Sequence, residues 1–106
     1  MSIPEITPAE FISRRDQGAA LTLLDVREAW ELAVANVPGT LHIPMGEVGQ
    51  RMSEIDRQQP VVVLCRSGRR SLEVAKLLQQ NGYEVSNLSG GILAWSRDVD
   101  ATIPTY

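Results

Sequence analysis

The sequence predicts an α/β fold: a mostly parallel sheet with helices on both faces. Three observations carry this. Short strand-like runs recur at 21–26, 41–43, 61–64 and 84–88, each too short for a helix and bounded by Gly, Pro or polar residues. Stretches with helix punctuation lie between them. Strands that alternate with helices are joined by crossovers, which makes their neighbours in the sheet parallel.

In chain order, the first helix announces itself most fully. Thr7 can cap it, Pro8 suits the first helical position, and Glu10 completes a capping box. Ile6 and Phe11 stand where a hydrophobic staple would join them, and the helix should stop near Gly18. Residues 21–26 read as a buried strand and 27–33 as a short helix after it. Val37-Pro38-Gly39-Thr40 is a turn, and residues 41–43 are a short strand closed by Pro44. A helix is expected from Glu47 to about Ile55. The strand 61–64, three of whose four residues are valine, precedes a loop and a helix that runs to Gln80. Asn81-Gly82 marks a left-handed stop. Residues 84–88 form the last strand, and Ser89-Gly90-Gly91 turns into a helix at 92–96.

The stretch Cys65-Arg66-Ser67-Gly68-Arg69-Arg70-Ser71 is what this scaffold is arranged to hold. The only cysteine lies where a buried strand ends and a helix begins, and ligands of parallel sheets sit beyond the carboxyl ends of the strands. Backbone N–H groups in such a turn favour an anion, as do three arginines. A thiol that titrates near ~8.5 in water falls by several units in such a setting. A lone cysteine is more often a small buried hydrophobe. Such a residue has no use for Arg66, Arg69 and Arg70 within five positions, because arginine is rarely buried unpaired. The loop therefore reads as an electropositive cradle for a nucleophilic thiolate.

Composition narrows the rest. With 106 residues, 43% hydrophobic and 22% charged, the chain reads as one globular domain, its core at about 6–98 and a tail at 99–106. A net charge of −3 argues against nucleic-acid binding and makes the basic loop a local device. One cysteine forbids an internal disulfide, and no Cys/His pattern suggests zinc or another metal. No apolar run reaches membrane-spanning length and no leader-like segment opens the sequence, so a monomer in a reduced cytoplasm is the expectation.

Four motifs in order carry a family resemblance: Leu24-Asp25-Val26-Arg27-Glu28; Val37-Pro38-Gly39 with Ile43-Pro44; the loop from Cys65 to Ser71; and Leu88-Ser89-Gly90-Gly91-Ile92 with Ala94-Trp95. Together they resemble the rhodanese domain, a fold of persulfide-forming sulfurtransferases, over about residues 6–98. Asn36 departs from the histidine that many relatives carry there. The resemblance implies a five-stranded sheet and a catalytic Cys65 that takes a sulfane sulfur from a small anionic donor such as thiosulfate. It implies substrate binding by Arg66, Ser67, Gly68, Arg69, Arg70 and Ser71, with no cofactor, and a structural polar network at Asp25 and Arg27. One of the three arginines is expected to be only a solvated charge. Ser67 and Ser71 are read as donors to sulfur, or as shaping the loop and capping the helix. His42 has no role in this scheme, and Trp30 and Trp95 are expected to cover the core edges.

Two alternatives remain at this stage. Related cysteine phosphatases, like arsenate reductases, need an arginine six positions after the cysteine, and Ser71 stands there, with Arg70 one residue early. A rhodanese-fold binding or sulfur-carrier module without turnover is the other, against which an intact cysteine loop argues. The ending from Trp95 to Tyr106 resembles rhodanese domains fused to E1-like adenylyltransferases of molybdopterin and thiamine biosynthesis. It implies a ubiquitin-like sulfur-carrier protein, or an E1-like enzyme on a separate chain, as partner.

Overall fold

The computed structural model describes residues 2–106. Its sheet has five strands: β1 (Glu5–Ile6), β2 (Thr22–Asp25), β3 (Leu41–His42), β4 (Val61–Leu64) and β5 (Val85–Leu88). They lie in the order β1-β5-β4-β2-β3, and every pairing is parallel. The helices are α1 (Pro8–Asp16), α2 (Ala29–Val34), α3 (Val48–Arg51), α4 (Arg69–Gln80) and α5 (Gly91–Asp98).

Strand β4 runs through the middle and shows why the valine run is needed. Val61 and Val63 enter a core with Leu24, Ile43, Val74 and Leu78, whereas Val62 and Leu64 enter another with Ile6, Phe11, Leu88 and Trp95. A strand buried on both faces has no position for a polar side chain. Phe11 of α1 and Trp95 of α5 meet at 5.7 Å on the second face, which α1 and α5 cover together. The α4 residues Val74, Ala75 and Leu78 fill the first.

The capping box at Thr7 forms as expected, with Glu10 N–H donating to Thr7 Oγ1 at 3.1 Å and Thr7 N–H donating to Glu10 Oε1 at 3.3 Å. Several expectations are corrected. Glu5–Ile6 is a strand that the sequence reading missed. Two residues carry no periodicity, and Ile6 has a double duty: it pairs with Leu88 and buries its side chain with Phe11. Helix α2 starts at Ala29 rather than 27, because the Arg27 N–H turns back to Asp25 Oδ1 (3.0 Å) and Glu28 is extended and caps. The helix expected over 47–55 is broken into two 3₁₀ turns, Met45–Glu47 and Met52–Glu54, around the four-residue α3. Gly46 and Gly49 in this stretch disfavour a continuous helix. Trp95 is buried, but Trp30 is 63% exposed, with its ring edge-on to Tyr106, and it joins neither core cluster. Among the described residues no helix is long and apolar enough to cross a membrane.

Candidate active site

Cys65 follows β4 directly, and its side chain is 1% exposed on the α4 side of the sheet. Helix α4 begins at Arg69, three residues before the expected start. Gly68 permits this: its φ of 105° turns the chain straight from the loop into the helix, a conformation that residues with a Cβ rarely adopt. Ser71 therefore does not cap the helix. It sits in the first turn, fully buried, and faces inward.

The loop is shaped from outside by α5. Ile92 N–H donates to the Cys65 carbonyl at 2.9 Å, and Leu93 N–H to that of Arg66 at 3.2 Å. Those carbonyls are thus turned away from the sulfur. Gly91 makes the approach possible, since a Cβ there would collide with the carbonyl oxygens of Cys65 and Arg66. The second glycine of the Gly90-Gly91 pair is in this way part of the cysteine site.

Around the sulfur the contacts are neutral. Gly68 N–H donates to Sγ at 3.1 Å, and Ser71 Oγ lies 3.2 Å from Sγ. Burial pushes the Cys65 thiol up. The Ser71 hydroxyl, with the N–H groups of Ser71, Gly68 and Ser67, outweighs it, and the thiol titrates below its ordinary value. The hydroxyl and the amides thus lead the lowering that the sequence assigned to arginines and amides together, and Arg70 interacts with the Cys65 charge from its place on Glu31.

The arginines are mostly engaged elsewhere. Arg70 forks onto Glu31 of α2, Nη1 to Oε2 at 2.7 Å and Nη2 to Oε1 at 2.8 Å. The Arg66 guanidinium donates to the main-chain oxygen of Tyr106, from Nε at 2.6 Å and also from Nη2, and lies over the Tyr106 ring. Arg69 is exposed and enters no ion pair among the described residues. Ser67 is exposed at the loop's outer side.

Asp25 and Arg27 form a buried pair beside this cluster, with both side chains fully inaccessible. Arg27 places every donor it has: Nε on Asp25, Nη2 on Asp25 Oδ2 (2.8 Å) and the Ala35 carbonyl (2.9 Å), Nη1 on the Tyr106 hydroxyl (2.9 Å) and the Glu31 carbonyl (3.4 Å). The Tyr106 hydroxyl in turn donates to Glu31 Oε1 at 2.8 Å. Glu31 receives from Arg70, from the Glu28 N–H and from Tyr106. The Arg70 hydrogen bonds lead, against the opposing effect of burial, and hold its carboxyl down at about 2. His42 is elsewhere: its Nε2 contacts the Arg27 carbonyl at 2.7 Å.

Three residues of this site escaped the sequence reading. Glu31, three positions after Glu28, looks like any solvent-facing helix charge. Tyr106 had no local signal. Asn87 left one: an asparagine inside a parallel strand, next to Leu88, where asparagine is disfavoured unless it has a partner. It has four contacts. Ser71 Oγ donates to its Oδ1 at 2.6 Å, and its Nδ2 donates to the Gly68 carbonyl (3.1 Å) and to Glu5 Oε2 (3.0 Å) and Oε1 (3.3 Å).

Fold and site together define an α/β domain that presents one cysteine in an amide-lined loop at the carboxyl edge of a parallel sheet. The chain belongs to the rhodanese family: the family model described as Rhodanese-like domain matches residues 7–98. A sulfurtransferase of Allochromatium vinosum is 40% identical over 96 residues, which cover 90% of each chain. The adenylyltransferase and sulfurtransferase MOCS3-1 of Zea mays is 31% identical over 109 residues; the match takes in 95% of this chain but 23% of that much longer protein. Among solved structures, a rhodanese-like domain protein from Staphylococcus aureus superposes with a TM-score of 0.85 at 25% identity, covering 98% of this chain and 99% of that one. The relatives named sulfurtransferases make an enzyme of that kind the reading of this chain.

Proposed function

We propose that the protein moves a sulfane sulfur from a small anionic donor to a nucleophilic acceptor through a persulfide on Cys65. The observation that carries this is the cysteine held by Gly68 N–H and Ser71 Oγ in a loop whose carbonyls are turned outward. The Cys65 thiolate attacks the outer sulfur of thiosulfate. The new S–S bond forms as the S–S bond of the donor breaks, and sulfite leaves with the electron pair. The terminal sulfur of the persulfide carries the charge and is a fitting guest for the loop amides. An acceptor nucleophile such as cyanide then takes that sulfur and returns the thiolate.

The phosphatase alternative is weakened by more than spacing. Ser71 occupies the required position, and Arg70 has its two terminal nitrogens forked on Glu31, so no bidentate grip on a tetrahedral anion is presented. As physiological acceptor we propose the C-terminus of a ubiquitin-like sulfur-carrier protein activated by a separate E1-like adenylyltransferase. The maize relative, which is named for both activities, and the resemblance of the tail support that choice.

The test is mass spectrometry after incubation with thiosulfate, where one added sulfur of about 32 Da on Cys65 is expected. Release of sulfite and formation of thiocyanate should vanish in Cys65→Ser. Persistence of either in that variant overturns the proposal.

A further inference from the structure

The hydroxyl of Ser71 has one proton and two neighbours that can receive it, Cys65 Sγ at 3.2 Å and Asn87 Oδ1 at 2.6 Å. Which of them takes it is settled by the far side of Asn87. Its Nδ2 faces the Glu5 carboxylate and the Gly68 carbonyl, all acceptors. A flipped amide would set a carbonyl oxygen against them, so Oδ1 must face Ser71. Oδ1 cannot donate, hence the Ser71 proton lies on the Asn87 side. While the thiol is protonated, the Cys65 contact therefore runs S–H to Ser71 Oγ. The ring closes through Gly68, whose N–H donates to Sγ and whose carbonyl accepts from Asn87.

Loss of the thiol proton breaks this arrangement. The loop amides still donate to a thiolate, but the lone pairs of Ser71 repel it, and it gains the Ser71 hydrogen bond only when the hydroxyl rotates to donate to sulfur. Asn87 Oδ1 is then left facing an oxygen without a proton between them. We propose that Asn87 is a positioning residue of the sulfur site, which holds the Ser71 proton while Cys65 is a thiol and competes for it when the thiolate or persulfide forms. This rests on the reading of Cys65 as the sulfur-bearing residue. Asn87 touches neither sulfur nor substrate, and acts through Ser71.

The charges around the sulfur do not supply this switch. From the loop and α4 there are Arg66, Arg69, Arg70, which is paired with Glu31 of α2 and also interacts with the Cys65 charge, and the exposed Glu73–Lys76 pair; none of them takes or gives the Ser71 proton. Beyond β2 Asp25 is paired with Arg27, and α5 brings no charged side chain before Arg97. Glu5 of β1 acts on the amide of Asn87, whose orientation it fixes.

The experiment is a double-mutant cycle on the rate of iodoacetamide alkylation against pH, which reports on Cys65 alone because the chain has no other cysteine. Ser71→Ala should move the titration midpoint to higher pH. Asn87→Leu removes the competing acceptor and, with Ser71 present, should move it to lower pH, with alkylation below the midpoint about two- to tenfold faster, the worth of one hydrogen bond. In the Ser71→Ala background the same substitution should not give that acceleration. Loss of the Gly68 anchor is common to both backgrounds and cancels in the comparison. An Asn87→Leu effect that is the same with and without Ser71, or a slower alkylation only when Ser71 is present, overturns the proposal.

A second measurement needs no change at Asn87. The native S–H stretching band should lie at lower frequency than that of the unfolded protein and rise in Ser71→Ala; coincident native and unfolded bands overturn the proposal. Both readouts follow the thiol itself. If they behave as expected while thiosulfate adds no sulfur to Cys65, the sulfur-transfer reading fails and the role of Asn87 stands.

Discussion

Two buried polar networks lie side by side at the carboxyl edge of the sheet, and they are built from opposite materials. One is ionic: Asp25, Arg27, Tyr106, Glu31 and Arg70, in which each charge is answered by another. The other is neutral: Gly68, Cys65, Ser71 and Asn87, linked by amides, a hydroxyl and a thiol. The ionic network has spent its donors on itself. The neutral one keeps a group, the Ser71 hydroxyl, that can be redirected to a new charge. One network is thus closed by charge pairs, while dipoles make the hydrogen bonds to the cysteine sulfur in the other, a division that three arginines beside a cysteine do not suggest.

The sharpest way to separate the two networks is to cut each at its centre. Cys65→Ser should remove all transfer of sulfur from thiosulfate to cyanide while the urea unfolding midpoint stays near that of the parent, since the two side chains are nearly isosteric. Arg27→Met should do the opposite kind of damage. It leaves Asp25 buried without its partner, and breaking a buried ion pair from one side costs about 3–5 kcal/mol. Urea unfolding should show that loss directly. An Arg27→Met protein as stable as the parent would mean that the ionic network is not what holds the shape.

How much of this contrast was visible beforehand depends on how far apart its members are in the chain. The neutral network lies mainly in one segment, and Cys65, Gly68 and Ser71 stood out by spacing and by residue type. The helix start was misplaced because the turn at Gly68 depends on a backbone angle that no side chain announces. The ionic network is long-range. Arg70 meets Glu31 across 39 positions, and Arg27 meets Tyr106 across 79, so local patterns had no hold on either contact. The resemblance supplied the sheet of five strands and the pairing of Asp25 with Arg27 as a structural unit, whereas the two-residue β1 was too short to register from the residues. Trp30 was misjudged for a related reason: a large apolar ring is usually covered, and whether another element reaches it is decided by tertiary packing alone.

A smaller effect lets pH cut the ionic network. The Glu31 carboxyl is held down at about 2 in the folded protein, chiefly by its hydrogen bonds to Arg70, against an ordinary value of 4.5. Its stabilisation is therefore present in full above 4.5 and is lost as pH falls toward about 2. Arg70 is partly exposed, so solvent reduces the worth of the pair to roughly 1–3 kcal/mol. Glu31→Gln should be less stable than the parent by that amount at pH 6. The gap should narrow progressively below 4.5, when unfolding is measured in urea across that range. A gap that stays constant down to pH 3 would remove Glu31 from the set of charges that hold the shape.

The smallest effect concerns Arg69, which lies outside both networks and, unlike Arg66 on the Tyr106 main-chain oxygen, has no hydrogen-bond partner for its side chain among the described residues. Arg69 is exposed, unpaired among the described residues, and placed at the first position of α4. If neutral groups do the chemistry, an exposed charge can only help an anionic donor arrive. Arg69→Ala should then raise KM for thiosulfate about two- to fivefold, the range for a solvent-exposed charge, and leave kcat nearly unchanged. The penalty should shrink as salt is added, because such charges are screened over about 8 Å at physiological ionic strength. Its effect on the alkylation rate of Cys65 should be slight, since the thiolate is held by Ser71 and the loop amides. The same measurements on Arg70→Ala provide the contrast: losing the Glu31 fork should lower stability, whereas the KM penalty of Arg69→Ala should come with no change in unfolding midpoint. If Arg69→Ala instead lowers kcat severalfold at every salt concentration, a charge acts on the reacting sulfur after all, and the division between ionic shape and neutral chemistry fails at the loop itself.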